Sequence, residues 1–418
     1  MNDTNANFGE SDESFEEGIA PVSTAHVSFE IRTKFLPWHK PRKQWVRANQ
    51  WADSIGRLVD NLSLKQAGRS LRYLSLPGPD LLDVRSIQPI CEAKGVALQF
   101  LGLNSGDDDD AEVGLEAALL SRVRSLPFID PASEVVKDRF EQLAVNKSVA
   151  YSRVITAQRS FDVVNLDLCG SFAEGPSGVK GGNIVNALFA LLHHQANHRQ
   201  DDWLFFITTR SNQDMVDEQT MVKLVDAVNR IMAERPELKS AIAGSGIVAA
   251  EELTDGAIDI SKLSPQSFSN SFALGLSHWV IHSLLKAERA WKADMLPHFE
   301  YHVLLKDKAC DMLSLGFYCK RIPVPRSDEI GLARVDDNIP APLLDEINLR
   351  LKLRVPDRIS KRTDLDCKLH LDPQLYDECL QQSAKLLASS NYDEHKYREW
   401  AEEQRAEIVA YMTNVGIV

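Results

Sequence analysis

The ten residues Phe161–Gly170, FDVVNLDLCG, decide how the rest of the chain is read. Phe161–Leu166 is apolar apart from Asp162 and Asn165, and it runs into Asp167-Leu168-Cys169-Gly170. A strand that is apolar toward both faces belongs in the middle of a sheet covered on both sides, where all of its side chains leave water. Asp167 therefore stands at the end of a central strand. A carboxylate in that position is costly to desolvate unless it faces a cleft, so it becomes the first candidate for function. The competing reading is a cap for the segment that follows.

Working outward, strands and helices alternate. Leu71–Leu76 (LRYLSL) reads as a strand broken by Pro77-Gly78-Pro79, and Asp80–Ala93 as a helix. Val96–Leu103 reads as a second strand, with the acidic Asp107–Asp110 as a loop before a helix over Glu112–Leu126. Ser133–Leu143 is expected to be helical and Tyr151–Thr156 a weak strand or loop. Beyond Gly170 come a helix over Gly181–Asn197, a buried strand at Trp203–Thr209 (WLFFITT), and an amphipathic helix over Glu218–Arg235. A long helix is expected at Phe272–Trp291, and Phe299–Leu305 and Leu315–Ile322 are read as the last two strands. The alternation predicts an α/β fold, a doubly wound and mostly parallel sheet over 69–326. Ligands of such sheets bind outside the carboxyl ends of the strands near the point where strand order reverses. Pro77, Gly78, Pro79, Asp80, Asn104 and Asp167 are the residues at those ends.

The flanks differ in charge. Residues 1–30 carry seven acids and no Lys or Arg, and 1–25 read as a disordered acidic tail. Residues 26–68 form a basic segment in which Trp45, Val46, Trp51, Ile55, Leu58, Val59 and Leu62 recur at helical spacing over Arg42–Leu64. Lys40, Arg42, Lys43 and Arg47, interleaved with Trp38, Trp45 and Trp51, suit a phosphate backbone with stacked bases, which makes nucleic acid a candidate partner. The same pattern fits a helix whose tryptophans pack on the sheet and whose charges are solvated or meet a cofactor carboxylate. Residues 327–418 read as a linker followed by helices at Pro373–Ala388 and Tyr392–Met412.

Composition bounds these readings. With 44% hydrophobic and 26% charged residues among 418, the chain is an ordinary globular one. It has no apolar run of the roughly 18–20 residues that would cross a membrane, and its first residues are acidic where a signal peptide would be basic, so a cytoplasmic location is expected. The net charge of −13 disfavours tight non-specific binding to nucleic acid by the chain as a whole. Six cysteines lack any CxxC spacing, and His194 and His198 share a helix face with no carboxylate between them, so no metal site is expected.

The order of a basic helix, a strand entering Pro-Gly-Pro, a strand of the form FDVVNLDLCG and the strand WLFFITT resembles class I S-adenosylmethionine-dependent methyltransferases. Within them the pattern is nearest to dimethylguanosine tRNA methyltransferases and three-Cys-motif partner proteins, which carry Asp-Pro-Phe-Gly or Asp-Pro-Tyr-Gly where this chain has Asp167-Leu168-Cys169-Gly170. The resemblance implies S-adenosylmethionine beside Pro77, Gly78, Pro79 and Asp80, with its ribose near Asn104. It also implies a nitrogen acceptor, on a nucleic-acid base, held by Asp167, with Gly170 admitting the planar ring. Departures are plain: Ser75 stands where the first strand usually ends in an acid, Gly78 is the single glycine of its loop, Asn104 replaces an acid and Leu168 a proline. Two readings follow, a methyltransferase, or a methyltransferase-like binding or scaffold protein without turnover that works through protein partners.

Overall fold

The structure is a computed structural model that describes residues 31–104, 110–174, 183–322 and 341–417. The acidic tail, most of the Asp107–Asp110 loop, the first residues of the Gly181 helix and the segment after Pro323 lie outside them. Five parallel strands come first: β1 (Leu71–Ser75), β2 (Leu98–Asn104), β3 (Glu134–Lys137), β4 (Val163–Asp167) and β5 (Trp203–Arg210). A short hairpin, β6 (Leu253–Thr254) and β7 (Ala257–Ile258), stands apart. The sheet is completed by β8 (Trp291–Met295), β9 (Phe299–Tyr301), β10 (Met312–Arg321) and β11 (Thr363–Asp364).

Strand order is β11-β9-β10-β5-β4-β1-β2-β3, with β8 also paired to β10. The order reverses between β1 and β4, which is where a doubly wound sheet opens a crevice at its carboxyl edge. Register places Ser75 beside Asn165 and Gly102, and Asp167 beside Thr208. β10 runs antiparallel to β5, β8 and β9.

Alternate residues of the central strands feed two separate cores, as the period of two requires. Leu74, Val164, Phe205 and Ile207 pack with the helices Ile184–His198, Glu218–Glu234, Pro265–Leu285 and Ala341–Ser360. Tyr73, Val163, Leu204 and Phe206 face the other way, onto Trp45, Trp51, Ile55 and Leu58 of the N-terminal helix and Leu380, Leu387 and Tyr397 of the C-terminal helices. The basic segment and the C-terminal region thus cover one face of the sheet together, and β11 brings the C-terminal region into the sheet itself.

Several local expectations are corrected. Ser133–Leu143 is not one helix: Glu134-Val-Val-Lys137 forms β3, and a 3-10 turn follows at Phe140–Ala144. The β-branched pair Val135-Val136 and the vacant edge beside β2 override the helical pattern. Tyr151–Thr156 is helical. The long helix is Pro265–Leu285, ending before Trp291, which opens β8. The helix Ala341–Ser360 lies in a region read from sequence as linker.

Two histidines sit in this core without charge. His278 and His298 are buried, and burial drives each imidazole down from 6.5 to about 3. Because the folded value lies below the unfolded one, the stabilising effect is present above pH 6.5 and is lost as pH falls toward 3. Each group contributes a slope of about 1.4 kcal/mol per pH unit in that window. Denaturant unfolding of the His298→Leu variant at a series of pH values should show that slope reduced by about one such increment between pH 6 and 4. An unchanged slope would mean that His298 is solvated.

Candidate active site

β1 ends at Ser75, and Leu76-Pro77-Gly78-Pro79-Asp80 carries the chain across the carboxyl edge into the helix Leu82–Lys94. Gly78 has φ +60° and Leu81 φ +50°, so two left-handed residues turn the backbone sharply. A Cβ on Gly78 would meet nothing within 4 Å; its constraint is the backbone angle. Gly102 of β2 carries the steric constraint, which the sequence did not signal. A Cβ there would lie 2.8 Å from Pro77 Cγ and 3.2 Å from Val135.

A cavity of about 330 Å³ opens at this edge. Pro77, Gly78, Pro79, Asp80, Asn104 and Asp167 all border it, together with Lys43 and Arg47 from the N-terminal helix. That helix begins at Pro41–Trp45, passes through a π-helical stretch at Val46–Ala52 and continues over Asp53–Asn61. Such stretches recur at functional sites because they shift side chains out of the ordinary helical register.

The basic residues do not form the solvated face that the helical pattern suggested. Lys40, Arg42, Lys43 and Arg47 are all buried. Lys43 Nζ donates to Asp167 Oδ1 and lies over the Trp51 ring, 4.6 Å from its centre. Arg42 pairs with Asp366 of a C-terminal helix. Arg47 donates to the Trp38 carbonyl at 3.1 Å, while its Nε has no hydrogen-bond partner. Burial lowers the pKa of Lys43, against the pull of Asp167, and lowers that of Arg47. In this conformation none of the four offers its charge outward to a phosphate backbone, and two of them wall the cavity.

Other expected site residues fall into distinct roles. Asp80 borders the cavity, but Arg32 pairs with one of its oxygens and the Tyr392 hydroxyl donates to the other at 2.9 Å. It anchors the loop to both ends of the chain. The Asn104 amide donates to Glu116 at 3.2 Å. Gly170 lies just outside the cavity; its carbonyl accepts from Arg210 N at 3.0 Å, and a Cβ there would meet the Glu174 carboxylate.

An acid stands close to the end of β1, in the first turn of the next helix. Asn165 Nδ2 donates to the Tyr73 hydroxyl at 2.8 Å, and that hydroxyl donates to Asp83 Oδ2 at 2.9 Å. Asp83 borders the cavity, and its Oδ1 is buried. Burial raises the Asp83 pKa, with the Asp167 charge adding to it. The signal in the sequence was an acid in the first helical turn after Pro-Gly-Pro, a position that capping explains equally well. His194 and His198 are accounted for structurally: the rings stack, and His194 Nε2 lies 2.8 Å from the Arg159 carbonyl.

The chain belongs to the PP_RS20740-like family, whose profile it matches over residues 32–402. No curated protein matches the sequence. Among solved structures, it is similar to an rRNA methylase from Streptococcus thermophilus at 8% identity, covering 61% of this chain and 89% of that one, TM-score 0.28. It is similar to a putative class I S-adenosylmethionine-dependent methyltransferase from Listeria monocytogenes at 16% identity, covering 72% of each, TM-score 0.29. A putative sarcosine dimethylglycine methyltransferase from Galdieria sulphuraria aligns at 13% identity over 67% of this chain and 87% of that one, TM-score 0.25. Likenesses of that depth add nothing to what strand order and the cavity establish.

Gly102→Ala should push Pro77 out of place, and overpacking of this kind costs about 1–3 kcal/mol. Gly78→Ala should cost about 1–2 kcal/mol through its φ alone. Thermal melts with S-adenosylhomocysteine titrations should then show ligand affinity lost in Gly102→Ala and kept in Gly78→Ala. Equal binding by both variants would detach the Pro77 loop from the ligand site.

Proposed function

We propose that this protein is a class I S-adenosylmethionine-dependent methyltransferase acting on a nitrogen acceptor. The observation that carries the reading is the meeting of the Pro77–Asp80 loop, Asn104 and Asp167 around one cavity at the strand-order reversal. The donor set suits the cofactor. Arg47 and Asp83 border a mostly apolar, partly enclosed space, which is the usual form of a small-molecule site. When bound, the cofactor supplies an activated methyl group.

The chain's own residues do the rest. Arg47, which makes no ion pair among the described residues, would hold an anionic group of the cofactor. Asp83, oriented by Tyr73 and Asn165, would accept from an N–H or hydroxyl at the cavity wall. Asp167 would hold an acceptor amine and favour the charge that its nitrogen develops as it attacks. Lys43 occupies that carboxylate now, so an acceptor must displace or share it. A nucleic-acid base is the acceptor that the sequence resemblance suggests; the four buried basic residues add no support for it.

The Lys43–Asp167 pair also favours a second reading, a methyltransferase-like binding protein in which the acceptor position is closed and no turnover occurs. Calorimetry with S-adenosylhomocysteine, followed by methyl transfer from radiolabelled cofactor to tRNA, DNA and protein extracts, separates the two. The methyltransferase reading expects ligand binding and transfer, with Asp167→Asn leaving binding nearly intact and cutting transfer by about 10²–10³. Binding without transfer in the parent, or no binding at all, would defeat the methyltransferase reading and favour the binding or scaffold protein.

A further inference from the structure

Away from the cavity, His302, Cys310 and Asp366 bring an imidazole, a thiol and a carboxylate together in the interior. His302 follows β9, Cys310 precedes β10, and Asp366 opens the helix Leu365–Leu371. His302 Nδ1 lies 3.5 Å from Cys310 Sγ and 3.1 Å from Asp366 Oδ2, and all three residues are buried. One donor atom from each lies within 4.8 Å of the others. We propose that these three side chains bind a zinc ion.

Asp366 Oδ2 accepts from the His302 backbone N–H at 2.7 Å and lies 3.1 Å from the ring nitrogen, with the Cys310 sulfur 3.5 Å from that nitrogen. A ring nitrogen serves one hydrogen bond at a time, so Nδ1 bonds either the carboxylate or the thiol. A cation takes a lone pair from each. Zinc bonds of about 2.0–2.3 Å in a tetrahedron place neighbouring donors roughly 3.3–3.6 Å apart, close to the two separations observed. Sulfur with nitrogen and a carboxylate oxygen is a zinc-type donor set.

The surroundings agree. Arg42 pairs with Oδ1 of Asp366 and leaves Oδ2 toward the cluster, as an outer partner of a ligating carboxylate does. Sequence reading expected no metal because these residues have no signature spacing. The ion would pin the end of β9 and the segment after it, where Tyr301 and Val303 wall the main cavity, to the C-terminal helices.

The test is metal content by mass spectrometry on the full chain purified without chelator, then cobalt titration of the chelator-treated protein. One zinc per chain is expected, and cobalt should give tetrahedral visible bands with a thiolate charge-transfer band. Cys310→Ser should lose the charge-transfer band, and Cys367→Ser, whose sulfur pairs with Asp364, should keep it. A parent protein that holds no zinc and takes up neither metal stoichiometrically overturns the proposal, as does a charge-transfer band that survives in Cys310→Ser. If Cys310→Ser does not fold, the parent's stoichiometry and cobalt spectrum decide.

Discussion

The structure depends on how the N-terminal helix disposes of its positive charge. An ammonium or guanidinium group withdrawn from water loses several kcal/mol of hydration, and only a well-placed carboxylate offsets that loss. Lys43 meets Asp167 at the end of β4, and Arg42 meets Asp366 beyond the far edge of the sheet. These two contacts, with Trp45 and Trp51 packed beneath them, fix the helix in one rotational setting. The same setting makes the cavity, since the helix closes a crevice that the strand order would otherwise leave open.

Much of this was legible in the sequence because the central strands are apolar on both faces. WLFFITT became β5 with one residue added, FDVVNL holds most of β4, which starts two residues later at Val163 and takes in Asp167, and the strand-end residues gathered where topology places ligands. Edges were harder. β3 is four residues long and β8 begins at a tryptophan that seemed to end a helix, and in both cases pairing with a neighbouring strand outweighs local preference.

The site was legible in position and not in role. Helical spacing shows which residues share a face, but it does not say whether a lysine on the boundary turns outward or folds back onto a carboxylate. Lys43 and Arg47 therefore read equally well as an outward basic face and as charges turned toward a ligand, and the structure sets them in the cavity wall. Asp80 and Asp83 are three residues apart and chemically alike, yet Asp80 is engaged by Arg32 and Tyr392 while Asp83 is engaged by Tyr73 beneath the cavity. That distinction depends on partners from both ends of the chain, which no local pattern contains.

The central claim is that ligand binds between the N-terminal helix and the strand ends. Cys169 gives the most direct test, because it borders the cavity and is exposed, whereas Cys367 is partly buried elsewhere. Alkylation of each thiol can be followed by peptide mass spectrometry with and without saturating S-adenosylhomocysteine. The account predicts that the ligand slows modification of Cys169 and leaves Cys367 unchanged. Ligand that binds in the calorimeter while Cys169 reacts at its original rate would contradict it.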